Sequence, residues 1–343
     1  MERFKHTLFC SLLSFSALLL SGCLNDHPIS LTRYEQTRPQ MGTLFTITLY
    51  APDGATATNA FDSAFARVSE LNLIFSDYEK KSEISILINQ VEEETRNISP
   101  ELTYLLARCR DLHQQTDGAF DPTLGLMIQH WRRARRQRQL PTEETITQVR
   151  KHIGFEKLTF DQADRTIRIV APELMIDFGG IAKGYAADEA MQTINAHGIT
   201  RVLIAASGDI LAGEPPPGES TWTIGVQSAD VTENNFTTLL QLRNQAASTS
   251  GDASQHALIN GRKYSHIVDP KTGIGLTERI GVTILAKDAT TSDSLATAVS
   301  VLGKEKGLRL IESFPDVEAL IVTQNEDGES FIKTRSSGFP KGS

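Results

Sequence analysis

The 343-residue sequence has only three cysteines, Cys10, Cys23 and Cys109. So few thiols exclude a disulfide framework. Positive charge is also short: 34 lysines and arginines stand against 42 aspartates and glutamates, a net charge of −8. An acidic chain without a basic excess argues against nucleic acid as a partner. No internal repeat and no low-complexity tract is visible. The apolar run Leu8–Leu20 is too short to span a bilayer comfortably. The phosphate-binding Gly-x4-Gly-Lys-Ser/Thr loop and the Gly-x-Gly-x-x-Gly dinucleotide fingerprint are both missing. What remains is ordinary globular composition, 40 % hydrophobic and 22 % charged, on a chain long enough for a sizeable core.

The N-terminus reads as an export signal. Arg3 and Lys5 precede the apolar run, and Leu20-Ser21-Gly22-Cys23 closes it. The small-small-Cys ending is similar to the bacterial lipobox, where the cysteine is diacylated and becomes the first residue. An ordinary signal peptide or an interfacial helix is the alternative. The sequence thus predicts a lipoprotein signal peptide over 1–22, a lipidated, palmitate-bearing Cys23, a polar tether over 23–40 and a folded domain over 41–335. The predicted place is the periplasmic side of a Gram-negative envelope membrane, held by more than one acyl chain. Leu24, rather than Asp, follows the cysteine and favours outer-membrane sorting. Cys109 then reads as a small buried hydrophobe in a helix.

Periodicity gives an α+β chain, with mixed sheets and interleaved helices. Strands are predicted at Thr43–Tyr50, Lys157–Phe160, Thr166–Val170, Leu174–Asp177, Arg201–Ala205, Trp222–Gln227, Thr237–Leu242 and Gly281–Ala286. His256–Val268 forms a hairpin around Asn260-Gly261, a pair suited to a two-residue turn. Helices are predicted at Ala57–Phe75, Pro100–Gln115, Ala182–Ala196 and Ser292–Leu302. Trp131–Arg138 holds five arginines in eight residues and reads as a solvated helix face or loop.

Three segments could carry chemistry. In Asp177–Gly184 a carboxylate and three glycines lead into a helix N-terminus, which suits either an anion or a tight strand-to-helix connection. Lys183 adds a mobile positive charge there. Asp293 and Thr297 lie one helical turn apart and offer hard oxygens suited to Mg²⁺ or Ca²⁺, although Asp293 could instead serve the helix N-terminus. His266, in Tyr264-Ser265-His266-Ile267-Val268-Asp269-Pro270, could be a general base or a structural histidine, and His256 competes with it.

Taken together, these strings resemble the ApbE family of FAD:protein FMN transferases. The likeness runs through Met41-Gly42-Thr43, Phe75-Ser76-Asp77-Tyr78 and Gly118-Ala119-Phe120-Asp121-Pro122-Thr123. It continues through Asp177–Tyr185, Ser207-Gly208-Asp209, Thr249-Ser250-Gly251-Asp252, Tyr264–Pro270 and Thr291–Thr297. The resemblance implies an ApbE-like, T-fold-related single catalytic module over 41–335, with FAD in a central cleft. It implies transfer of the FMN moiety of FAD to a threonine hydroxyl of a target protein, with release of AMP. The targets would be flavoprotein subunits of redox complexes, and Mg²⁺ would be the cofactor. It assigns FAD contacts to Met41, Tyr78, Ala119, Phe120, Asp121, Asp177, Lys183, Ile267 and Ala296. Metal ligands would be Asp293, Thr297 and a carbonyl near Gly180, and His266 would be catalytic. A non-catalytic flavin-binding lipoprotein and an FAD pyrophosphatase are the alternatives. One departure stands out: the family commonly has Asn six residues after the serine matching Ser82, where this chain has Ile88, with Asn89 next.

Overall fold

Thr43–Ala51 points Phe45, Ile47 and Leu49 to one side, all fully buried, and becomes the second strand of a large sheet. The computed structural model describes residues 30–89, 94–171, 173–227, 236–251, 256–325, 328 and 330–341. Its strands are β1 (Thr32–Gln40), β2 (Thr43–Ala51), β3 (Arg96–Asn97), β4 (Leu158–Asp161), β5 (Thr166–Ile169), β6 (Val202–Ala206), β7 (Asp209–Ala212) and β8 (Trp222–Gln227). They continue with β9 (Phe236–Leu242), β10 (Gln245–Gly251), β11 (His256–Ile259), β12 (Arg262–Ser265), β13 (Ile280–Ala286), β14 (Glu318–Gln324) and β15 (Phe331–Arg335). The helices are α1 (Gly54–Phe75), α2 (Glu83–Asn89), α3 (Pro100–Gln115), α4 (Gly125–Gln137), α5 (Glu143–Arg150), α6 (Ala182–Ala196) and α7 (Ala289–Ile311). Residues from Leu31 onward form one compact unit.

Eight strands pair antiparallel in the order β1-β2-β6-β7-β10-β13-β14-β15. Strand alternation sends side chains to two faces, and both faces are covered. Val282, Ile284, Ala319 and Ile321 face the main core with α1, α6 and α7. Their neighbours Leu285, Leu320 and Val322 face a second core with Trp222 of β8 and with Leu240 and Leu242 of β9. A third cluster joins Met127, Trp131 and Ala134 of α4 to Val149 of α5 and to Ile259 and Tyr264 of the β11–β12 hairpin.

The mixed α+β reading holds, with differences of detail. Residues 32–40 of the expected tether are strand β1, paired along its whole length with β2. As an edge strand it buries little, so its sequence carries no apolar alternation to reveal it. Leu174–Asp177 is not a strand: Met175 makes an isolated parallel bridge to Leu124. The helix expected at Ser292 starts at Ala289, because Asp288 caps it through Thr291 N–H at 2.7 Å. The arginine run is helical through Gln137, and Arg138 ends it in the left-handed conformation. Cys109 is buried, and that burial raises its pKa, as an inert thiol requires. The signal segment, Cys23, the tether up to residue 29 and Asp252 lie outside the described residues.

Candidate active site

The site forms where the N-terminal ends of α6 and α7 meet. They approach so closely that a Cβ at Gly184 would collide with the Ala289 carbonyl oxygen, so only glycine fits. The N-terminal amides of α7 are already satisfied. Asp288 caps Thr291, and Asp188 of α6 accepts from Ala289 N–H and Thr290 N–H, both at 2.8 Å. Asp293 is therefore released from any capping duty and turns inward.

There it is buried and accepts from the Gly184 N–H at 3.0 Å. Lys183 Nζ lies 3.3 Å from its carboxylate and 2.9 Å from that of buried Asp209. Burial works against the lysine charge, but the two carboxylates outweigh it and raise the Lys183 pKa. Burial, then the Asp209 charge, pushes Asp293 up to about 6, against the pull of Lys183. Two carboxylates around one ammonium leave this pocket short of positive charge. Gly180 sits beside it, and a Cβ there would stand 3.0 Å from the Thr297 Oγ1.

A second cluster is built around Arg132. Its guanidinium bridges Asp77 and Asp177, each at 2.7 Å, and lies 4.6 Å from the centre of the Tyr78 ring. Burial raises the Asp177 pKa while Arg132 pulls the other way. The other Asp177 oxygen accepts from the Gly179 N–H at 2.6 Å. Two amides of the glycine-rich turn, those of Gly179 and Gly184, are thus held by carboxylates of this chain. The Asp177 N–H in turn donates to the Pro122 carbonyl at 2.8 Å, which ties in the turn that holds Ala119, Phe120 and Asp121. Asp121 accepts from Thr123 N–H and Oγ1, at 2.8 and 2.6 Å.

Trp131, next to Arg132, donates its indole N–H to the Ser265 carbonyl at 2.9 Å. The Ser265 hydroxyl accepts from the Ile267 N–H at 3.1 Å. Consecutive residues of α4 therefore hold both the Asp177 turn and the segment with half-buried His266 and buried Ile267. Met41 sits in the β1–β2 turn with a positive φ of 49° and packs at the edge of the main core. Ala296 is buried in α7 beside Thr297, and Tyr78 is 71 % exposed.

The ApbE family model matches residues 41–321. The chain belongs to the ApbE family. A relative from Vibrio cholerae, named FAD:protein FMN transferase, is 30 % identical, covering 94 % of this chain and 96 % of that protein. A relative of the same name from Haemophilus influenzae is 27 % identical over 95 % of this chain and 94 % of its own. The solved flavin transferase ApbE from Vibrio cholerae superposes with a TM-score of 0.82 at 28 % identity, covering 90 % of this chain and 99 % of that one. The apo flavinyl transferase ApbE from Pseudomonas stutzeri gives 0.78 at 28 % identity, covering 90 % and 95 %.

Within this ApbE chain, the structure brings Gly180, Lys183, Asp293 and Thr297 together, and links Tyr78, Asp121, Asp177 and Ile267 through the contacts just described. Lys183 is not the mobile charge expected from sequence; it is fixed between two acids. Three residues of the site escape the sequence reading: Arg132, Asp77 and Asp209. Arg132 is hidden in a run that reads as solvated, while Asp77 and Asp209 sit in family-like strings without a role. The Asn89 amide donates to the Ser85 carbonyl at 2.7 Å, back along its own helix.

The donor set fits a hard divalent cation. Asp293 and Thr297 supply oxygens, Gly180 places its backbone against Thr297, and the excess of carboxylate over ammonium favours a positive ion. Among the described residues no group of three or more His, Cys, Asp or Glu gathers at a metal site. Mg²⁺ commonly takes only one or two carboxylates and completes its shell with phosphate and water.

Proposed function

We propose that this chain transfers the FMN moiety of FAD to a threonine hydroxyl of a target protein, with Mg²⁺ as cofactor and AMP as the leaving group. The observation that carries the proposal is the Asp293–Lys183–Asp209 cluster against Gly180 and Thr297, at a helix N-terminus. Family membership and the names of the relatives support it.

Asp293, Thr297 and the Gly180 carbonyl would hold Mg²⁺, which supplies charge neutralisation for the pyrophosphate. Lys183 and the turn 177–184 would orient the pyrophosphate, while Tyr78, Asp121, Asp177 and Ile267 would seat the flavin half. Phosphoryl transfer depends chiefly on such positioning and electrostatic stabilisation. His266 would take the proton of the incoming threonine. The threonine oxygen then bonds to the FMN phosphorus as the bond to the AMP oxygen breaks, and AMP leaves with that electron pair. The export signal read at 1–23 supports a lipid-anchored enzyme on the periplasmic side of the membrane.

Calorimetric titration with FAD, with and without Mg²⁺, tests the assignment of the ion. The wild type should bind FAD more tightly with Mg²⁺, and Asp293→Ala should lose that gain. An identical Mg²⁺ response in the variant would remove Asp293 from the site. AMP release in the absence of any acceptor would instead favour hydrolysis of FAD.

A further inference from the structure

The arginine row of α4 is not used up by the mechanism. Arg132 is taken by Asp77 and Asp177. Among the described residues, Arg133, Arg135, Arg136 and Arg138 enter no ion pair, although acids outnumber bases in the chain. Arg133, Arg136 and Arg138 are exposed. Arg135 is half-buried, and its Nε is enclosed without a hydrogen-bond partner. Burial, then the like charge of Arg132, lowers its pKa. The helix macrodipole favours cations in the last turn, which gives Arg135 and Arg136 a local reason to be there. It gives none for Arg133, nor for an enclosed guanidinium nitrogen without an acceptor. Three such charges on α4 and a fourth at its C-cap also repel each other.

The place of the row says what would compensate it. It starts at Arg132, on the buried Asp177, and runs outward along the helix. Exposed Tyr78 lies under Arg132, and Arg136 follows Arg132 one helical turn on, on the same side of α4. Arg132 and Arg136 therefore border the candidate active site, and Arg133 extends the same exposed side of α4. We infer that this face of α4 docks the acceptor protein, and that it takes a segment carrying carboxylates beside the threonine to be modified. The inference rests on the transferase reading of the site. An acceptor threonine brought to the site beside Arg132 would lie next to these arginines, and carboxylates flanking it would pair them and give the Arg135 Nε an acceptor. Electrostatic complementarity of this kind governs partner choice and encounter rate.

The test uses the purified full chain with FAD and Mg²⁺, and three fluorescent peptides of equal length. Each peptide has a central threonine, flanked by Asp and Glu, by Ala and Ser, or by Lys. Binding is read by anisotropy and flavin transfer by covalent flavin fluorescence on the peptide. The acidic peptide should bind about tenfold more tightly than the neutral one at low salt, and the advantage should shrink as salt rises. The triple variant R133Q/R136Q/R138Q should erase that advantage while FAD affinity stays put and the thermal midpoint does not fall. Separately, R135Q should weaken the acidic peptide alone. Equal binding of acidic and neutral peptides overturns the inference, as does a fall in FAD affinity in the triple variant. It is likewise overturned if the triple variant loses adhesion to phosphatidylglycerol vesicles while the peptide preference persists, since the row then serves lipid. Acidic-peptide binding without flavin transfer would sink the transferase reading and leave the docking face standing. Equal transfer to all three peptides would do the reverse.

Discussion

Replacing Arg132 by Ala should remove the only cation bonded to Asp177 among the described residues. The Asp177 side chain is 5 % exposed, Asp77 15 % and Arg132 25 %, so both ion pairs are largely shielded from water. Breaking a buried pair from one side typically costs about 3–5 kcal/mol. The quarter exposure of Arg132 lets some water return, and Asp177 can escape part of the cost by taking up a proton. Both effects lower the expected loss to about 2–3 kcal/mol. With an unfolding entropy of about 2 cal/mol/K per residue, a unit of this size should lose roughly 4 °C in thermal midpoint. The pH dependence has a definite sign. Burial raises the folded-state pKa of Asp177, and removing Arg132 raises it further. A carboxyl with a raised folded pKa favours the folded state at low pH and loses that contribution as pH rises. The gap between variant and wild type should therefore be small near pH ~4 and widest near pH ~8. Urea unfolding at both pH values reads this directly. A loss below about 0.5 kcal/mol, or an equal loss at both pH values, would refute the electrostatic account. In the triple variant R132M/D77N/D177N most of the stability should return, because neither carboxylate is then left charged without its partner.

Other consequences concern the α6–α7 junction. Lys183→Met leaves Asp209 and Asp293 facing each other unpaired; a loss of about 3 kcal/mol is expected in metal-free urea titrations, partly restored by millimolar Mg²⁺. No Mg²⁺ rescue would speak against a cation site there. Gly180→Ala puts a methyl 3.0 Å from Thr297 Oγ1, so Mg²⁺ affinity should drop more than stability, which should fall by only about 1 kcal/mol. Burial raises the Asp188 pKa to about 6, so its contribution to stability declines as pH climbs from about 4 through 6. Asp188→Asn should flatten that stretch of the stability–pH curve while costing about 1–2 kcal/mol at low pH through the lost acceptor for the α7 amides. An unchanged curve would show that Asp188 does not titrate there.

Legibility in the sequence follows whether the signal is local. Helix α3 carries its own start, Ser99 bonding the Leu102 amide with Pro100 at the first position, and its sequence marks it to the residue. Periodicity likewise places helix α6 and strand β8 to their ends. Strand β10 gives no such signal although it lies inside the large sheet. Its sequence, Gln-Ala-Ala-Ser-Thr-Ser-Gly, has little apolar alternation, and only its neighbours make it a strand. The same division runs through the site. Asp177, Gly180, Lys183, Asp293 and Thr297 stand in recognisable strings. Arg132 is masked by the other arginines of its run, and its two partners lie 55 and 45 positions away. Local pattern does not distinguish the arginine that holds the site from those that face outward. Nor does it show that Lys183 is already paired, since Asp209 reaches it only through the β6–β7 hairpin.

The central claim is that His266 accepts the proton of an acceptor threonine while FAD is held by other residues. The most direct measurement is single-turnover transfer from FAD to a threonine peptide at saturating FAD and Mg²⁺, followed by mass spectrometry and AMP release, in wild type and His266→Ala. Wild type should give equimolar AMP and FMN-peptide. The variant should transfer flavin about 10²–10⁴-fold more slowly, with FAD affinity unchanged. A variant that transfers flavin at the wild-type rate would contradict the claim.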